Sequence, residues 1–232
     1  MKHLISIAVI LLLSSFTVYA QDFCNGDHDF DGDCDSDDVT TFLADFGRSQ
    51  YNNPCPPDGP TPVPKTGQTT SYATGDDGDL QRGVALVTPR FADNGDGTVT
   101  DNQTGLIWMK DANCFGYRLW NEALSDCNGL DEGSCGLTDE SNPGNWRLPN
   151  SNELASLVHK GYSFPALTNT GGTAQWTEGD PFNNVQSLSY WSSTSYSYIA
   201  PYIGWSVGMA HGRMFAMDKE MSYNVWCVRG GH

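Results

Sequence analysis

The sequence predicts an α+β fold: two helices against a mostly antiparallel, loop-rich sheet, preceded by a small N-terminal loop–helix unit. Three observations carry this. Short apolar runs alternate with Asn-Gly, Asp-Gly and related turn signals over much of the C-terminal two thirds. Two segments repeat at helical spacing instead: Trp120–Cys127, and the stretch after Pro149. Near the N-terminus, carboxylates recur on alternate residues from Asp27 and end at Asp38.

The first twenty residues read as a secretory signal. Lys2 and His3 precede an apolar run from Leu4 to Leu13, and Val18-Tyr19-Ala20 supplies a small-residue cleavage site. The run is too short to span a bilayer, and no later segment is long and apolar enough to do so. No cysteine stands at the cleavage point, which argues against a lipoprotein. The mature chain is expected to start near Gln21 and to be secreted, surface-displayed or periplasmic.

Residues 21–50 form the next unit. Asp27, Asp29, Asp31, Asp33, Asp35 and Asp38 occupy positions 1, 3, 5, 7, 9 and 12 of a twelve-residue loop, with Gly32 at position 6. That is the oxygen register of an EF-hand calcium loop: a hard cation takes six to eight oxygens, and the glycine allows the sharp turn. Calcium is therefore the expected cofactor, with Asp33 offering its carbonyl. Val39, Phe42, Leu43 and Phe46 then mark one helical face, and Gly47 is placed to end it. Residues 51–68 carry Pro54, Pro56, Pro57, Pro60, Pro62 and Pro64 and read as a semi-rigid spacer.

The large domain is expected over 69–232. Asn94-Gly95-Asp96-Gly97 turns into a strand at Thr98–Thr100, and Asn102–Gly105 turns back into Leu106–Met109. Trp120, Ala123, Leu124 and Cys127 share a helix face. The second helix starts with Asn150 as N-cap and Glu153 as its capping-box partner, with Leu154, Leu157 and Val158 inward. Strands follow at about 203–209, 213–217 and 222–228, separated by turns at His211-Gly212 and Asp218-Lys219.

Charge narrows the function. The chain carries a formal net charge of −16, and the segment from 69 onward holds 9 basic and 18 acidic residues. That excludes nucleic acid and anionic membranes as natural partners. Seven cysteines in an exported chain imply disulfides, with at least one cysteine left unpaired or paired between chains.

Two resemblances are visible. Gly26–Arg48 resembles a single dockerin-type repeat, with aspartate at loop position 12 and a short following helix; a second repeat is absent. The large domain carries ordered motifs at Asp76–Val84, Pro89-Arg90-Phe91, Asp93–Asp101, Thr104–Trp108, Trp146–Asn150 with Glu153-Leu154, Tyr190–Thr194 and Cys227–Gly230. On these it resembles the Lcl C-terminal domain family, named for collagen-like bacterial adhesins. It implies a C-type-lectin-like fold, related also to formylglycine-generating enzymes, and surface adhesion or glycan binding in some members. Cys127 and Cys227 match family positions, which implies that they pair. Cys114 with Cys135, and Cys24 with Cys55, are the remaining expected pairs, leaving Cys34. The calcium-lectin tripeptides Glu-Pro-Asn and Gln-Pro-Asp do not occur. With the cysteines committed to structure, no reactive thiol pair is expected.

The expected function is thus a calcium-binding, non-enzymatic recognition or adhesion protein. The partner would be a glycan or a cell-surface protein, with a homo-oligomer as one way to gain avidity. The alternatives are an assembly module docking through the calcium unit, and an enzyme of the formylglycine-generating fold. Tyr196, Tyr198 and Tyr202 are the candidate ligand-binding residues, because aromatic faces stack on the C–H surfaces of sugar rings. Asp93, Asp96 and Asp101 form a candidate second metal site, against the plainer reading that they shape turns. Arg147, Ser192, Ser193, His159 and His211 read as structural or solvent-facing.

Overall fold

Trp108, Trp146, Trp191 and Trp226 are fully buried, and the fold is assembled around the last of them. In this computed structural model residues 63–230 are described, within a compact unit that begins at Thr61. The expected signal segment, the Asp27–Asp38 loop and its helix, and Cys24, Cys34 and Cys55 lie outside the described residues. So does most of the proline-rich spacer. Its last part is drawn onto the domain: Pro64 bridges Val84, and Lys65 N–H donates to the Val84 carbonyl at 2.9 Å.

The architecture is α+β, with few helices and mostly antiparallel pairing. One sheet has four strands in the order β1 (Phe91–Asp93), β2 (Thr98–Asp101), β3 (Ile107–Met109) and β9 (Val228–Arg229), all antiparallel. The other runs β4 (Tyr117–Arg118), β8 (Tyr223–Asn224), β5 (Ser189–Ser195), β6 (Ile203–Gly208) and β7 (Arg213–Asp218). Among the strand pairs of these two sheets, only β5–β8 is parallel. Three short α-helices accompany the sheets among the described residues: α1 (Asp77–Leu80), α2 (Trp120–Asn128) and α3 (Ser151–Ser156).

The two expected helices form where their local signals lie. Glu122 accepts the Leu119 N–H at the start of α2, and the Asn150 side chain accepts the N–H groups of Asn152 and Glu153 at the start of α3. The reciprocal bond, Asn150 N–H to Glu153, closes the capping box at 2.8 Å.

One expectation needs revision. The single strand expected over 222–228 is divided: Tyr223–Asn224 belongs to the five-stranded sheet and Val228–Arg229 to the four-stranded one. Burial explains the division. Every residue from Asn224 to Val228 is buried, so this segment passes through the core rather than lying across one face of it. Trp226 packs edge-on against Trp108 and Phe182, and its indole N–H donates to the Met109 carbonyl at 2.8 Å. Tyr190–Thr194 lies in the central strand β5, whose Tyr190, Trp191 and Ser192 are all buried. Cys127 on α2 is bonded to Cys227, and Cys114 to Cys135.

Candidate functional site

The connection from β5 to β6 carries the tyrosines. After Ser195 the chain makes one 3₁₀ turn, Ser197–Ile199, and re-enters the sheet at Ile203. Tyr196 N–H donates to the Ile203 carbonyl at 2.9 Å, which closes the loop at its base. The Tyr196 ring is half-buried and packs edge-on against Trp205, with centroids 5.2 Å apart. Tyr198 and Tyr202 stand out at 84% and 68% exposed. The three rings therefore divide their work: Tyr196 is a base packed on the sheet, and the other two present open faces. Tyr196 and Tyr198 lie at 62° to each other, so they form a corner rather than a flat platform.

Lys219 holds this crest from below. Its ammonium donates to Ser195 Oγ at 2.8 Å and to the Ala200 carbonyl at 2.9 Å. It also lies 3.7 Å from the centre of the Trp120 ring, a cation–π contact. Trp120 is tied in turn to β5 through its indole N–H and the Ser192 carbonyl, 2.8 Å. Lys219 is only 9% exposed, and desolvation lowers its pKa. The backbone matches: Lys219 N–H donates to the Tyr202 carbonyl at 2.8 Å. One lysine thus fixes both ends of the loop that displays Tyr198 and Tyr202. Sequence reading placed Lys219 in a turn; a lysine between Asp218 and Glu220 carries no mark of burial.

The candidate metal carboxylates are each engaged separately. Asp101 is fully buried and takes Arg90 through two bonds of 2.7 and 2.9 Å. Asp96 accepts the N–H and hydroxyl of Thr98. Asp93 accepts Gly95 N–H and Lys110, whose ammonium holds the Asp93 carboxyl below its usual range. Among the described residues, no group of three or more His, Cys, Asp or Glu is placed to hold a metal ion. Arg147 makes two 2.7 Å bonds to Glu153 and one to the Gly230 carbonyl. Ser192 and Ser193 donate to backbone carbonyls of Trp205 and Pro149. His211 is exposed, with Phe164 edge-on to it at 4.5 Å.

A family model, the Lcl C-terminal domain, matches residues 97–229. The chain belongs to the Lcl C-terminal domain family. The Lcl match takes in α2, α3, the tyrosine crest, Lys219 and both described disulfides; residues 63–96 precede it. No curated protein matches the chain.

Proposed function

We propose that this is an exported, calcium-binding, non-enzymatic recognition protein whose lectin-like domain binds glycans at the Tyr198–Tyr202 crest. The observation that carries the reading is the pairing of two open tyrosine faces with a loop already locked by Lys219. A rigid aromatic surface gives contact area at low entropic cost. The Lcl membership supports adhesion. The loop Asp27–Asp38, similar to a single dockerin-type repeat, supplies the calcium site in this reading. The four described cysteines are all bonded, which supports a scaffold over the thiol chemistry of formylglycine-generating enzymes.

A glycan array run with and without calcium tests the reading. The Tyr198→Ala/Tyr202→Ala double variant is expected to lose at least about tenfold in affinity. Its melting temperature should move by less than about 2 °C, since exposed substitutions cost little. Tyr196→Ala should lower the melting temperature instead, because that ring packs on Trp205. A double variant that binds like the parent sinks the crest as the site.

A second reading, assembly on a protein partner, is favoured by an apolar groove of about 220 Å³ beside edge strand β7, lined by Leu188, Ala210 and Phe215 among others. A blank array, together with self-association abolished by Leu188→Ser, would favour it.

A further inference from the structure

A second cavity, sharing no residue with the tyrosine crest, has its own chemistry. About 310 Å³ in volume, it lies between the 65–69 and 81–86 stretches, His159 and Tyr162, and Gly172-Thr173. In a chain of net charge −16, no Asp or Glu among the described residues lines it. Its charged side chain is Lys65, and its uncharged polar side chains include Gln68, Gln81 and Thr173. Among the described residues, the Lys65 ammonium makes no ion pair or hydrogen bond.

His159 gives the cavity a directed donor. The side chain is 7% exposed and stacked on Tyr162, with centroids 4.4 Å apart and planes 20° from parallel. Its Nδ1 accepts the Gly161 N–H at 3.2 Å. Burial, and secondarily the charge of Arg90, lower its pKa and keep the ring neutral. A neutral imidazole whose Nδ1 accepts must carry its proton on Nε2. That Nε2–H has no acceptor among the described residues. The Gly67 backbone packs on the imidazole so closely that a Cβ there would fall 2.1 Å from Nε2 and 2.4 Å from Cδ2 and Cε1, so only glycine fits against the ring.

We propose that this cavity binds a small hydroxylated carboxylate of one-ring size, such as a hexuronate. The carboxylate takes the Lys65 ammonium and the His159 Nε2–H, both charge-assisted donors to an anion. The ring hydroxyls meet Gln68, Gln81 and Thr173, each able to donate and to accept. The volume is at the low end for small-molecule sites, about 300–1,000 Å³, which suits one ring rather than a chain. The −16 charge discourages larger polyanions at long range, so the anion must be small and met at contact.

Titration of the full chain with D-galacturonate, D-galactose and acetate separates the terms. Galacturonate should bind saturably in the millimolar range, about tenfold or more tighter than either control. Galactose lacks the carboxylate and acetate lacks the ring. Lys65→Ala should weaken galacturonate by about tenfold with the melting temperature unchanged, while Tyr198→Ala/Tyr202→Ala leaves it alone. Nitrogen NMR of the His159 ring gives a reading that does not depend on any variant folding: an Nε2–H tautomer, shifted by galacturonate. An Nδ1–H tautomer, equal affinity for galactose, no saturable binding, or a Lys65→Ala variant that binds like the parent would each overturn the assignment.

Discussion

Asp101 shows how a residue that resembles a ligand can be used up by the fold. Four donors reach its two oxygens: Arg90 Nε and Nη2, Gln103 N–H and Thr104 Oγ1, at 2.7 to 2.9 Å. Arg90 also donates to the Ser156 carbonyl, so the pair ties β2 to the end of α3. Breaking a buried pair leaves one charge stranded, which costs about 3–5 kcal/mol. Asp101→Asn should cost that much in chemical denaturation, because its amide turns a donor toward a guanidinium that only donates. A loss under about 1 kcal/mol, typical of a surface pair, would mean that the pair is not the anchor described here. The turn after Asp101 was legible in sequence, since the Asn102–Gly105 turn signal is local. The partnership was not, because Arg90 stands eleven residues away with nothing between them to mark it. Lys219 was hidden for the same reason: burial comes from Trp120, Ser195 and Ala200, none of them neighbours in sequence.

At the scale of elements, what the sequence revealed depended on how local the cause was. Helix α3 starts where Asn150 and Glu153 stand, because capping is settled within four residues. The final strand was misread because a continuous buried run has no period to show which sheet it joins. The α3 cap also titrates. Burial pushes the Glu153 carboxyl up, but Arg147 and the Asn150 N–H pull it further down, so the net shift is below the usual value. A carboxyl lowered on folding adds stability above its unfolded pKa of about 4.3, and that stability is lost as pH falls through the folded value. Glu153→Gln should therefore cost about 1 kcal/mol at neutral pH, the usual size of a lost cap. It should also flatten the decline in stability of the parent between about pH 5 and pH 3. Parallel acid profiles for parent and variant would remove Glu153 from the account.

For the whole domain, the fold class was legible and the last connection between its two sheets was not. That connection is Tyr223–Arg229, which leaves one sheet, crosses the core at Trp226 and joins the other. Cys227 sits in the crossing and bonds to Cys127 on α2, 100 residues away, whereas Cys114 and Cys135 are 21 apart. The two bridges interleave along the chain, yet neither offers the other a shorter path, so each loop keeps its own closure entropy. On the chain-entropy argument the long bridge contributes about 4–5 kcal/mol and the short one about 3 kcal/mol, both upper figures. For a domain of this size each kcal/mol moves the melting temperature by about 2–4 °C. Cys127→Ala/Cys227→Ala should thus lower it by roughly 8–20 °C, and Cys114→Ala/Cys135→Ala by roughly 6–12 °C. Calorimetry of both double variants decides the point. The long-loop variant must melt lower, and as one transition, because the crossing segment couples both sheets to a shared core. Two separate transitions in that variant would show that the sheets are stable apart, and the bridge rather than Trp226 would then be what unites them.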